Sequence, residues 1–237
     1  MMAYEKRFDG RGFDELRPME AKVGVVKNAD GSAMFKIGKT TAIAAVYGPR
    51  ELHPKFLQNP ETGILRVDYN MLPFSGHGDR VKPGGSRRSR EICKVMENAL
   101  LPVLDLKDWP NSVVDVFVDF PQTDAGTRCA GICAASLALA DAGVAMKDMV
   151  TAVAIGKVED KIVVDLNYEE DSYEHGSDVP IAMLPNSGKI TVIQMDGEIT
   201  PEDLVVIFAK AEAACRKIYD VQKAALRAKF KKQEDVS

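Results

Sequence analysis

The stretch DFPQTDAGTRCAGICAASLALADAG, residues 119–143, decides how the chain folds. Cys129, Ile132, Cys133, Ser136, Leu137 and Ala140 recur at i, i+3, i+4, i+7, i+8 and i+11, and Ala130, Ala134, Ala135 and Ala138 fill the opposite side. That period predicts a helix with a small, apolar surface all round, and such a helix belongs between other layers rather than on the outside. Its mouth has the opposite character, with Asp124, Gly126, Thr127 and Arg128 in close succession. The first N–H groups of a helix lack intrahelical partners, and together with the macrodipole they attract an anion. A cation in the first turn is disfavoured by roughly 0.3–1 kcal/mol. Two readings follow. Either a negative ligand sits among Arg128, the Thr127 hydroxyl and the N–H groups, or Asp124 or Thr127 caps the helix and Arg128 points into solvent.

Working outward, SVVDVFVDF (112–120) leads into this helix as a β-branched strand, and ILRVDYNMLPF (64–74) reads as another. SAMFKIGKTTAIAAVYGPRE (32–51) reads as two β runs about a Gly38-Lys39 turn. The GKT there is no phosphate-binding P-loop, because the required earlier glycine is Ala33 and the following residues have strand character. Ile92, Val95, Met96, Ala99, Leu100 and Val103 form a helical stripe starting near Ser86. After the small-residue helix, VTAVAIGKVEDKIVVDLNY (150–168) and DVPIAMLPNSGKITVIQMDGEIT (178–200) read as hairpins. A last helix opens at Thr200 as cap, with Pro201 in its first position and Asp203 as the capping-box acid. Leu204, Ile207, Phe208, Ala211, Cys215 and Ile218 mark its inner face, and the tail from about residue 228 is expected to fray. AMFKIGKTTAI and AMLPNSGKITVI echo each other, each placing a Gly-Lys turn between β runs with a long helix later. The expectation is an α+β chain of two related halves, with helices packed on antiparallel or mixed sheets.

With 46% hydrophobic residues in 237, the chain can bury a full core. It has no run of ~18 apolar residues, and its first residues are charged with no apolar signal core, so a cytoplasmic protein without membrane span or secretory leader is expected. Cys93, Cys129, Cys133 and Cys215 form no CxxC, and three of them fall on apolar helix faces as packing residues. A formal charge of −4 argues against nucleic acid bound over the whole surface but permits a local basic site.

Such a site is in view. Arg80, Lys82, Arg87, Arg88 and Arg90 lie in or just after the Gly-rich SGHGDRVKPGG (75–85), and Arg87 and Arg88 again put cations at a helix start. Read singly this is solvated surface; paired with Arg128 it points to a polyanion. Tyr69 is a candidate aromatic platform for a base, or else a core residue at a strand end. Asp165, Glu169, Glu170, Asp171, Glu174 and Asp178 crowd between two β segments, either as a solvated loop or as hard oxygen ligands and a proton donor beside a phosphate. His53, His77 and His175 lack metal-ligand spacing and read as surface residues. The inventory fits phosphoryl chemistry on RNA.

DGRGFDELRP (9–18), GPRELHP (48–54), SRRSRE (86–91), QTDAGTRCAGICAASLALADAG (122–143) and DVPIAM (178–183), in this order, resemble the RNase PH family of phosphate-dependent 3′ exoribonucleases over nearly the whole chain. The wording is closest to catalytic ring subunits of archaeal exosomes; a bacterial-type RNase PH trimming tRNA ends as a homohexamer and a non-catalytic RNA-binding ring subunit are the alternatives. The resemblance implies a single RNase PH-like domain over 1–237 with an internal duplication. It also implies a six-membered ring shared with a homologous inactive subunit as a trimer of heterodimers, S1/KH-type RNA-binding cap proteins, and single-stranded RNA threading the centre. It assigns inorganic phosphate to Gly126, Thr127 and Arg128, and the RNA 3′ end to Arg87, Arg88 and Tyr69, with Arg66 near the RNA path. Acid catalysis or Mg²⁺ ligation falls to Asp178 with Asp171. The two acids are seven residues apart where the family pattern has six, which bears on Asp171 most.

Overall fold

The computed structural model describes residues 4–77, 80–82, 85–173 and 176–234, with backbone alone at 230 and 232–234. Glu174 and His175 lie outside the described residues, as do Gly78, Asp79, Pro83 and Gly84 of the Gly-rich segment. Two sheets carry the chain. The first comprises β1 (Met19–Val23), β2 (Gly31–Ile37), β3 (Thr40–Glu51), β4 (Ile64–Met71) and β5 (Ser112–Gln122) in the order β1-β2-β3-β5-β4. Its strands pair antiparallel except β4, which runs parallel to β5. The second comprises β6 (Thr151–Val158), β7 (Lys161–Val164), β8 (Ser177–Leu184) and β9 (Lys189–Ile193), all antiparallel in the order β7-β6-β8-β9.

Helices α1 (Arg87–Leu100), α2 (Thr127–Asp141), α3 (Tyr168–Asp171) and α4 (Pro201–Glu234) complete the α+β architecture. The small-residue helix predicted from the sequence is α2, and its surface explains its place. It packs on β2, β3 and β5 of the first sheet and on β6 and β8 of the second, and every residue from Thr127 to Leu139 except Arg128 is buried. A helix enclosed on so many sides tolerates little side-chain volume, because interiors pack to crystal-like density. Gly31 shows how close the approach is: a Cβ there would stand 2.2 Å from the Ala142 backbone nitrogen. One apolar core, from Phe35 and Val46 through Phe120 and Leu137 to Ile155 and Ile181, runs through both sheets.

The expected hairpins form at β2–β3, β6–β7 and β8–β9. Strand β1 arises within what reads as a charged lead-in, because MEAKV turns only Glu20 and Lys22 fully outward. Thr200 does cap α4, its hydroxyl accepting from the Asp203 N–H at 3.2 Å, but the Asp203 carboxylate goes to Lys157 Nζ at 2.5 Å instead of closing a capping box. Helix α4 extends to Glu234, past residue 228 where the tail is expected to begin, and Lys229 Nζ reaches the almost fully buried Asp141 carboxylate at 2.5 Å.

Candidate active site

At the mouth of α2 the chain leaves β5 and turns through Ala125 (φ 54°) and Gly126 (φ 65°), both left-handed. Gly126 is the N-cap, and no side chain caps the helix. Asp124, one of the two candidate caps, is engaged elsewhere, its Oδ1 accepting from the Tyr168 N–H at 3.1 Å. The turn is held from below. Thr40 Oγ1 donates to the Ala125 carbonyl at 2.8 Å and accepts from the Asp124 N–H at 2.8 Å, while the Arg17 guanidinium donates to the Asp124 carbonyl. Arg17 is itself fixed by Asp165, with Nε to Oδ2 at 2.9 Å and Nη2 to Oδ1 at 2.7 Å. A Cβ on Gly126 would come within 3.2 Å of Arg17 Nη2, so glycine serves both the backbone angle and the approach.

The open N–H groups face a cleft of about 510 Å³ lined by Tyr69, Arg88, Thr127, Arg128, Asp171 and Asp178 among others. Two polar atoms on its walls, Arg128 Nε and Asp178 Oδ1, are buried without a hydrogen-bond partner among the described residues. Each such orphan costs roughly 1–3 kcal/mol, and both atoms belong to residues of the same cleft. The other end of the Arg128 guanidinium lies 3.8 Å from Glu91 on α1. Thr127 Oγ1 accepts from the Tyr69 hydroxyl at 3.0 Å, which leaves the threonine proton for an anion in front of it.

Asp178 lies on β8 and pairs backbone to backbone with Asp196, each N–H donating to the other carbonyl at 2.9 Å. Burial, with the charges of Asp171 and Asp196 added, pushes the Asp178 carboxyl up to about 7, although Arg128 pulls the other way. Asp171 ends α3 and opens to solvent on one side. The cleft wall still desolvates it enough to raise its carboxyl above the usual range, against the pull of Arg88 and Arg128. Whatever the seven-residue spacing, α3 brings Asp171 to the cleft that holds Asp178.

Tyr69 is corrected as a base platform. Its ring is 4% exposed and packs on Phe120 with centroids 4.9 Å apart, so no face is open to a nucleobase. Arg87 is exposed in the first turn of α1 but does not line the cleft. Arg66 lies on the opposite face of β4 from Tyr69 and, with Arg50, holds the buried Asp115 at 2.5 Å. The acidic stretch divides: Glu170 is buried against Arg7 and the Tyr4 hydroxyl, and Asp165 against Arg17, so these two are structural. Residues not singled out for chemistry in the sequence join the cleft, namely His77, Tyr168 and Asp196.

No group of three or more His, Cys, Asp or Glu side chains suited to a metal ion occurs among the described residues. The Asp171 and Asp178 pair fits a Mg²⁺ ion held in the usual way of that ion, by one or two carboxylates with waters and substrate phosphate oxygens; the orphaned Asp178 Oδ1 is the supporting atom. Cys129 and Cys133 have thiols pushed up by burial, and all four cysteines are free.

A helix mouth open to an anion, with a guanidinium on one wall and a carboxyl able to hold a proton near neutrality on the other, defines an enzyme that handles phosphate. The chain belongs to the 3′ exoribonuclease family, whose domain 1 matches residues 15–145 and whose domain 2 matches 148–214. The proteins named exosome complex component Rrp41 from Pyrococcus furiosus and Nitrosopumilus maritimus are 53% and 47% identical to it. The matches cover 96% and 95% of this chain and 90% and 91% of theirs. The same-named protein of Methanopyrus kandleri is 50% identical over 94% of this chain and 93% of its own. In three dimensions the chain matches the crystal structure of rice Rrp46 with a TM-score of 0.83 over 93% of this chain and all of that one, at 24% identity. No helix among the described residues is long and apolar enough to cross a membrane.

Proposed function

We propose that this chain is the catalytic ring subunit of an archaeal exosome, shortening single-stranded RNA from its 3′ end by phosphorolysis. The observation that carries the reading is the pairing of an uncapped α2 mouth and the orphaned Arg128 Nε with the orphaned, proton-holding Asp178 in one cleft. Inorganic phosphate binds at the N–H groups of α2, the Thr127 hydroxyl and Arg128, which neutralise and orient it. Arg88 and Arg87 at the mouth of α1 hold the scissile phosphodiester and the strand behind it. An oxygen of the phosphate attacks the phosphorus of the last linkage, and the bond to the penultimate 3′ oxygen breaks. Asp178 gives its proton to that oxygen, and the terminal nucleotide leaves as a nucleoside diphosphate. The reverse reaction adds nucleotides from nucleoside diphosphates. In the alternative protonation state, with Asp178 ionised beside Asp171, the two carboxylates would hold Mg²⁺, which would supply charge neutralisation for the phosphate oxygens in place of the proton.

The wider setting proposed with this reading is a hexameric ring with an inactive homologous subunit, S1/KH-type cap proteins and a cytoplasmic location; the relatives' name, exosome complex component, supports assembly with other subunits. Arg66, off the cleft, meets RNA further along its path. The two halves are a duplicated unit folded as one body, supported by the matching hairpins β2–β3 and β8–β9 and by the core that runs through both sheets. The test is to incubate the chain, alone and with its ring partner, with end-labelled RNA and Mg²⁺, with and without phosphate. Phosphate-dependent nucleoside diphosphates are expected. Monophosphates released without phosphate establish a hydrolase instead, and no product in any combination leaves a binding subunit.

A further inference from the structure

We propose that His77 and Tyr168 form the platform on which the cleft stacks the 3′-terminal nucleobase, an assignment that rests on the RNA reading above. Three ring-bearing side chains line the cleft, Tyr69, His77 and Tyr168. With Tyr69 buried, the open rings are the other two, and Tyr168 is 46% exposed. They already lie against each other, with centroids 5.1 Å apart and planes 33° from parallel, a partly stacked pair on whose outer face a base can extend the stack.

Their anchoring is what links them to the chemistry. The Tyr168 N–H donates to Asp124 Oδ1 at 3.1 Å, and His77 Nε2 lies 3.9 Å from the same oxygen. Asp124 is the residue that leads into the Ala125–Gly126 turn, and its carbonyl is gripped by Arg17. Platform and phosphate turn therefore share one support and keep a fixed relation. Tyr168 also opens α3, three residues before Asp171, and i,i+3 spacing puts ring and carboxylate on one helix face toward the cleft. The cleft, about 510 Å³, has room for a nucleotide beside a phosphate, and the rings stand next to the phosphate turn, which favours the terminal base as the one that stacks. Every base has a π-face, so such a platform grips the end without reading sequence, as an enzyme that shortens RNA through any sequence requires.

The experiment uses the full chain in its ring with RNA ending in 2-aminopurine, whose fluorescence is quenched on stacking. It also compares KM and kcat for RNAs with an ordinary and an abasic 3′-terminal nucleotide. Tyr168→Ala is expected to abolish the quench and raise KM about tenfold, the order for one lost base stack, with kcat little changed. Tyr168→Phe keeps both near wild type, and His77→Ala acts in the same direction as Tyr168→Ala. On abasic-ended RNA, wild type and Tyr168→Ala become equal. An unchanged quench and KM in Tyr168→Ala, or an equal loss on abasic ends, overturns the proposal. Nucleoside diphosphates released with Tyr168 silent sink the platform alone. A Tyr168-dependent quench without nucleoside diphosphates sinks phosphorolysis alone.

Discussion

Asp178 shows how much a single residue draws from its surroundings. Its carboxyl is desolvated, faces Asp171 and Asp196, and is offset only in part by Arg128, so it holds a proton up to about pH 7. The unfolded chain gives that proton up near the ordinary value, so between about pH 4 and 7 the native state binds more protons and stability falls as pH rises. Asp178→Asn removes the strain while removing the acid. The variant is expected to melt higher than wild type at pH 8, by about 2–4 °C per kcal/mol relieved, with little difference at pH 4. Its phosphorolysis drops by about 10²–10⁴-fold, the usual contribution of a positioned acid. Calorimetry at both pH values with a product assay checks this, and a variant less stable than wild type at pH 8 sinks the electrostatic account.

At the scale of elements, the α2 mouth depends on a pair of charges that the sequence keeps far apart. Arg17 and Asp165, each about 4% exposed, are separated by 148 residues and together support the Asp124 carbonyl. Breaking such a buried pair by removing one partner costs about 3–5 kcal/mol, chiefly through the charge left behind. Arg17→Met is therefore expected to lower Tm by roughly 6–20 °C and to raise the KM for phosphate. Adding Asp165→Asn recovers much of the Tm but not the KM, because the turn still lacks its support. Thermal melts and phosphate titrations of the single and double variants decide it; a double variant no more stable than the single defeats the paired-charge explanation.

That separation also explains what the sequence let through. The helices α1 and α2 and the three hairpins are written in local periods and turn residues, and so was the anion site, since Arg128 at a helix mouth is a local anomaly. Arg17, Asp196 and the His77–Tyr168 pair were not, because each gains its role from a partner brought in by sheet pairing or by α3. Tyr69 is the residue at which local pattern and ligand role compete. Leu65, Val67 and Tyr69 alternate along β4, and that period of two already puts Tyr69 on the core face with Arg66 opposite. Of the two readings open for Tyr69, a base platform or a core residue at a strand end, the strand pattern favours the second.

At the scale of the whole molecule, a formal charge of −4 gives RNA no general attraction to the surface. Affinity must come from cations placed where the strand lies. The mouth of α1 supplies them, since that helix has no acidic residue in its first turn to cancel Arg87 or Arg88. Two phosphate contacts on a single strand, from Arg87 and Arg88, give a slope of log K against log salt of about −1.4, and removing one flattens it by about 0.7. Arg88→Gln is expected to do so for an RNA short enough to stay within the cleft. Arg66 acts differently, because it is off the cleft and already shares Asp115 with Arg50. Arg66→Gln should leave the short RNA unaffected and flatten the slope only for an RNA long enough to run out of the cleft. Salt titrations of binding with both lengths separate the two residues. A slope unchanged by Arg88→Gln would remove α1 from the RNA path, and an effect of Arg66→Gln on the short RNA would bring the outer face of β4 into the site itself.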